Sequence, residues 1–418
     1  MGARSDMALM IAGALLAAAC LALWRRDAAN AAAAGLDAAP TAGADREALF
    51  EALAEALPSP LLVAQGIEPD DVLNRRYSFA NQAARQMLRL DAENGVLVQA
   101  IRDPDVLEAA DEALFGGIGA ECLYEIAGVQ PRTLRVQARP LPAGPDGARQ
   151  ALLVFHDESD LRQSERTRAD FLANASHELR TPLASLLGFI ETLRGHARED
   201  EVARERFLAI MQGQAERMSR LIDDLLSLSR IELNEHVAPA EAADLAVAVR
   251  DAIDAAALTA KARDVRLETN FDAAQALVTG DRDQLVQVAQ NLIDNAVKYS
   301  PPRGVVRIGL RPAVSLPEAA GAEQPGAARL SLLTPDRLEG RFLALTIRDH
   351  GAGMAREHLP RLTERFYRVE GQKSGERSGT GLGLAIVKHI VNRHRGGLMV
   401  ESAEGEGTTF TVYLPVGT

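Results

Sequence analysis

Residues 171–187 read FLANASHELRTPLASLL, and this stretch decides how the rest of the chain is organised. Leu172, Leu179, Leu186 and Leu193 recur every seven residues, with Ala175, Pro182 and Phe189 three residues after the first three of them. That spacing predicts an amphipathic helix with a coiled-coil-like apolar seam. His177 falls off the seam. Its imidazole is predicted to face solvent, with Glu178 beside it and Thr181 one turn later on nearly the same face. Pro182 removes a helix hydrogen bond and is predicted to bend or loosen the helix just past the histidine.

A second helical pattern begins near Asp200, with Phe207, Met211, Met218, Leu221, Leu225 and Leu228 apolar and Gln214 the polar intruder. A short polar link over 195–200 joins the two patterns, so residues 158–236 read as an antiparallel helical hairpin. One hairpin cannot bury both seams. Two can, which leads us to expect a homodimeric four-helix bundle whose register Gln214 helps to fix.

The chain has 418 residues and a formal net charge of -12, which suits several domains and argues against nucleic-acid binding, since no basic stripe is present to neutralise phosphates. Its two cysteines, Cys20 and Cys122, fit neither a disulfide framework nor a metal site and point to a reducing compartment. Residues 8–24 carry no charge and are followed by Arg25 and Arg26. Residues 1–27 are therefore expected to form a single-pass membrane anchor, with the body of the chain in the cytoplasm; a cleaved signal peptide is the rival reading. An alanine-rich linker over 28–45 follows.

Residues 46–157 read as a small α+β sensor domain. Helical patterns at 49–57, 81–88 and 105–114 precede three β-like runs at 121–127, 133–140 and 151–156. The order resembles a PAS domain, with Phe79, Asn81, Ala83 and Ala84 near the place of that family's Asn-x-Ala pattern. A ligand-binding module and a plain spacer both remain open here.

In the carboxyl-terminal part, 240–418, residues 281–300 read DRDQLVQVAQNLIDNAVKYS. Asp281 is placed to cap a helix whose buried stripe is Leu285, Val288, Ala289, Leu292, Ile293 and Ala296. The opposite face carries Gln287, Asn291, Asn295 and Lys298. Two asparagines inside a helix oppose propensity, and amide oxygens are hard neutral ligands suited to Mg²⁺ beside phosphates. A strand at 305–310, a proline-containing surface insertion over 311–340 and a second strand at 342–348 come next. The second strand runs into Asp349-His350-Gly351-Ala352-Gly353-Met354, where spaced glycines let backbone approach a ligand and a buried carboxylate can accept a purine amine. Residues 371–383, GQKSGERSGTGLG, then place Gly379, Gly381 and Gly383 before a helix at 384–394, whose amino end suits phosphate.

Taken together, these stretches resemble the two-component sensor histidine kinases over roughly 161–415. Residues 176–182, SHELRTP, look like the phosphoacceptor box, 290–300 the N box, 349–354 the G1 box, 366–368 (FYR) the F box and 379–383 the G2 box. The resemblance implies an α/β sandwich that binds ATP and Mg²⁺ under a lid at about 354–378. It also implies a protein histidine kinase reaction. His177 would take the γ-phosphoryl group, Glu178 the proton of the other ring nitrogen, and Thr181 would position water when the protein acts as a phosphatase. Asn291 would bind Mg²⁺, Asn295 and Lys298 the phosphates, and Tyr299 would lie along the nucleotide. Asp349 would read the adenine amine, with Gly351 and Gly353 shaping its loop. Arg368 would approach the γ-phosphate, and Gly379, Gly381 and Gly383 would shape the lid. The acceptor is expected to be an aspartate on a separate response regulator. Within the family the chain is similar to the phosphate-regulon sensor kinases, which implies an inner-membrane location, phosphate-starvation signalling and a phosphate transporter complex as a partner. The alternatives are a sensor kinase of the same family for another stimulus and a membrane-tethered, ATP-driven switch or scaffold without phosphotransfer; the HELRTP box argues against the second.

Overall fold

The computed structural model describes residues 49, 52–71, 74–128, 131–144, 147–195, 199–272, 276–313, 315–316, 318, 326–336, 339–369 and 379–416. The expected anchor and linker lie outside the described residues, as does the carboxyl-terminal end of the expected lid, 370–378. Among the described residues no helix is long and apolar enough to cross a membrane. The chain divides into two units, 1–167 and 168–418.

The first unit is built on a six-stranded antiparallel sheet. Its strands are β1 (Leu61–Gly66), β2 (Arg76–Ala80), β3 (Gly95–Val96), β4 (Ala120–Ile126), β5 (Arg132–Leu141) and β6 (Arg149–Asp157), in the order β3-β2-β1-β6-β5-β4. Between the strands lie α1 (Gln82–Leu88), α2 (Leu97–Ala100), α3 (Pro104–Asp111) and a π-helical turn, Glu112–Gly116. The reading of helices followed by a sheet is thus corrected: half of the sheet precedes most of the helices. LLVAQG at β1 is a short apolar run without alternation, because β1 lies between β2 and β6 inside the sheet. Asn81 is fully buried. Its Oδ1 accepts from Leu61 N and Ala84 N, capping α1, while Nδ2 donates to the carbonyls of Ala54, Leu57 and Ser59. The Asn-x-Ala signature is therefore a tie that holds the entering chain, α1 and β1 together.

In the second unit, α4 (Ser159–Arg194, beginning in the first unit by sequence) and α5 (Glu201–Leu233, capped by Asp200) form the hairpin. Phe189 and Phe207 stack across it at 5.4 Å between ring centroids. Ala175 and Pro182 are buried and Leu179, Leu186, Phe189 and Leu193 half-buried, as the seam requires. Leu172, expected on that seam, is 58% exposed within one chain. The helix runs through Pro182 without a break.

The remainder is a mixed six-stranded sheet with helices packed on one face. The strand order is β11 (Ala328–Leu333), β13 (Gly397–Ala403), β14 (Gly407–Pro415), β12 (Phe342–Arg348), β10 (Val305–Ala313) and β8 (Arg266–Phe271). Only β10 and β8 pair in parallel. Helices α6 (Leu245–Ala262), α7 (Arg282–Tyr299) and α8 (Gly383–Arg393) bury their apolar stripes in one core with the sheet, and a small β7 (Ala242–Asp244)–β9 (Leu277–Thr279) ribbon flanks them. The stretch at 311–340, expected as a surface insertion, is partly absorbed into the sheet. Its β11 segment forms the edge strand against β13, and Arg329 bonds Glu401 across the pair at 2.8 Å.

Candidate active site

His177 is exposed on α4, as its place off the seam required. Glu178 is half-buried in the hairpin, and its Oε2 accepts from Arg217 Nη2 on α5 at 3.2 Å. Thr181 donates its hydroxyl to the His177 carbonyl at 3.2 Å, the back-bonding habit of helical threonines. Arg217 was not singled out from sequence. Its only signal was its position on the flank of the apolar seam, next to Met218.

Asp281 caps α7 by accepting from Asp283 N and Gln284 N. The helix then packs Leu285, Val288, Ala289, Leu292, Ile293 and Ala296 inward, so that Asn291, Asn295 and Lys298 lie half-buried on its other side. Asn291 Nδ2 is buried with no hydrogen-bond partner among the described residues. Its amide faces the start of α8, where a Cβ on Gly383 would stand 3.2 Å from Oδ1. An unpaired amide at a helix amino end is an arrangement that a bound group would satisfy.

Lys298 is the electrostatic centre. Burial first, then the charges of Arg368, Arg263 and Arg217, hold its ammonium down at about 8 from an ordinary 10.5. Nζ lies 4.7 Å from the Tyr299 ring centroid, and Gly379 opens the G2 loop directly against it. Tyr299 is pushed up by burial, with Arg368 opposing. Arginine charges near enough to lower the Lys298 pKa, with the α8 amino end beside Asn291, favour an anion here.

Asp349, 6% exposed, directly follows β12; its Oδ1 accepts from Gly351 N at 2.8 Å and Thr408 N at 3.3 Å. Burial raises its pKa, while those two bonds and the charges of His350 and Arg348 oppose the shift. Gly353 has φ +65°, and a side chain there would collide with the Ala403 carbonyl. Beyond it, a 3₁₀ turn (Arg356–Arg361) leads to Phe366, whose N donates to the Gly381 carbonyl at 2.9 Å. The F box and G2 box therefore hold each other. The α8 amino end receives no side-chain cap of its own; Thr380 Oγ1 accepts from Leu382 N and donates to Asp224 Oδ2 of α5 at 2.7 Å. Phe366 meets Phe171 of α4 at 5.9 Å, Arg365 pairs with Glu232, and Glu235 holds His389 and Asn392 of α8. These contacts hold the carboxyl-terminal domain against the hairpin.

Family comparisons agree with this architecture. Residues 48–119 match the PAS domain, 167–234 the His Kinase A (phospho-acceptor) domain, and 280–418 the Histidine kinase-, DNA gyrase B-, and HSP90-like ATPase family. The chain belongs to the two-component sensor histidine kinases. It is 38% identical over 272 residues to the phosphate regulon sensor protein PhoR of Pseudomonas aeruginosa, covering 64% of this chain and 54% of that protein. It is also 33% identical over 264 residues to the sensor histidine kinase WalK of Bacillus subtilis, covering 63% and 39% respectively. The chain thus spans about half or less of the length of these relatives. Among solved structures, the histidine kinase AdeS of Acinetobacter baumannii superposes with a TM-score of 0.41 at 26% identity, over 58% of this chain and 98% of that one.

Proposed function

We propose that the protein autophosphorylates on His177 with ATP and passes the phosphoryl group to an aspartate of a separate response regulator. The observation that carries this reading is the pairing of an exposed histidine on the hairpin with a docked ATPase-family domain in which Asn291, Lys298, Arg368 and the G2 loop converge. One imidazole nitrogen of His177 attacks the γ-phosphorus in line; the N–P bond forms as the bond to the β,γ-bridging oxygen breaks, and ADP leaves. Glu178 accepts the proton of the other ring nitrogen once it is released from Arg217. Asn291 would hold Mg²⁺, which supplies charge neutralisation at the phosphates. Lys298 and Arg368 hold phosphate oxygens, Asn295 binds beside them, Tyr299 lies along the nucleotide, and Asp349 takes the adenine amine. Gly351, Gly353, Gly379, Gly381 and Gly383 let backbone come close to it.

In the reverse role, Thr181 positions the water that dephosphorylates the regulator. A homodimer completes the hairpin: Leu172, Leu187 and Leu226 are 58%, 55% and 53% exposed in one chain, and a second hairpin is the partner that would cover them. The uncharged run 8–24 serves as a single-pass anchor in the bacterial inner membrane, with the body in the cytoplasm. Identity to the phosphate regulon sensor protein favours phosphate-starvation signalling, and a phosphate transporter complex is the partner we propose for it. The test is incubation with γ-³²P-ATP. Label is expected on the wild type and absent from His177→Gln, with nucleotide binding retained; label surviving that change would refute the assignment.

A further inference from the structure

Arg75 precedes β2 and is 2% exposed, although a buried guanidinium is tolerated only when its donors are filled. They are not all filled. Nη2 donates to the Pro69 carbonyl at 2.8 Å, and Nε stands 2.8 Å from Asp111 Oδ1. Yet Nη1, Nε and Asp111 Oδ1 are all buried without hydrogen-bond partners among the described residues, so the ion pair is close but poorly directed. The Asp111 side chain beside this group is 33% exposed. Burial raises the Asp111 pKa more strongly than Arg75 lowers it.

The surroundings are also unusual. Asp111 ends α3, and the five residues that follow form the π-helical turn, a rare geometry found disproportionately at functional sites. That turn sets the Phe115 ring 5.4 Å from the Arg75 guanidinium and 5.9 Å from that of Arg149, whose Nη1 donates to the Phe115 carbonyl at 3.2 Å. Gly66, at the end of β1, lets the ring lie close, since a Cβ there would stand 3.0 Å from Cζ. Two guanidinium groups against one carboxylate leave an excess positive charge beside a flat apolar surface.

We propose that Arg75, Asp111, Phe115 and Arg149 form a binding site for a small carboxylate in the PAS unit. The ligand carboxylate takes the place of Asp111 at the unfilled Nε–H, a charge-assisted hydrogen bond of the kind Arg gives carboxylates, and Asp111 swings out to solvent. Asp111 is thus an internal competitor for the ligand's place.

The probe is sodium succinate, titrated calorimetrically at constant ionic strength into the full chain in detergent micelles. One saturable event per chain is expected. Asp111→Asn removes the competitor and is expected to tighten binding about tenfold. Because replacing Arg75 alone leaves Asp111 without its counter-charge, the double variant Arg75→Met/Asp111→Leu replaces the whole pair with apolar groups and is expected to fold and not bind. No saturable heat from wild type and Asp111→Asn would overturn the site. So would unchanged or weaker binding in Asp111→Asn, or binding retained by the double variant. An equal response to inorganic phosphate would overturn the carboxylate assignment.

Discussion

Arg365 Nη2 lies 2.6 Å from Glu232 Oε1, and its guanidinium sits 5.4 Å from the centroid of the Phe171 ring. One side chain therefore joins the F box to both helices of the hairpin. Both members of the ion pair are partly exposed, so its worth is modest, on the order of 1 kcal/mol. Its loss should loosen docking rather than unfold either domain. We expect Arg365→Glu to speed limited proteolysis in the connecting segment at 234–241, and the swap Arg365→Glu/Glu232→Arg to restore resistance. Equal cleavage of wild type, single variant and swap would show that the pair does not fasten the domains.

Lys298 gives a pH signature. With its ammonium held at about 8, it is half neutral near that pH, whereas in the unfolded chain it stays charged to its ordinary 10.5. Between those values the unfolded state binds more protons, so this group makes stability rise with pH. Nucleotide affinity should move the other way, falling as pH passes 8, because phosphate binding needs the charge. Calorimetry in buffers of different ionisation heat should show proton uptake on ATP binding at about pH 8.5, lost in Lys298→Arg. Uptake that persists in Lys298→Arg would place the titrating group elsewhere.

Asp349 should trade stability for recognition. Its raised pKa means that the charged form is disfavoured by burial despite the bonds from Gly351 N and Thr408 N. The native state binds more protons than the unfolded chain as pH rises from the ordinary 3.8, so this carboxylate costs stability at neutral pH. Asp349→Asn should therefore unfold at equal or higher denaturant at pH 7 while ATP affinity falls at least tenfold. A variant that unfolds earlier, or binds ATP as wild type does, would contradict that assignment.

Much of this was legible from residues alone where a strong periodicity met a rule-breaking polar position. The α7 stripe from Leu285 to Ala296 was readable because the apolar positions recur at helical spacing, which also sets Asn291 and Asn295 apart from it. The His177 face was readable for the same reason. β1 and β11 were not: β1 is a short run without alternation, the alternation of β11 covers only a few residues inside a proline-containing stretch, and each is completed as a strand by pairing with β6 or β13, distant in sequence. Contacts between elements, such as Thr380–Asp224 across the domains and Glu178–Arg217 within the hairpin, were equally silent. A charged residue on a helix flank looks the same whether it meets water or another element.

The most direct measurement is the site and chemistry of the phosphoryl group after ATP is added to the full chain. Mass spectrometry on peptides quenched at alkaline pH should find one acid-labile phosphoryl group on the fragment containing His177. An acid-stable phosphate on a serine or threonine, or ATP bound at saturation with His177 unmodified, would contradict the proposed reaction.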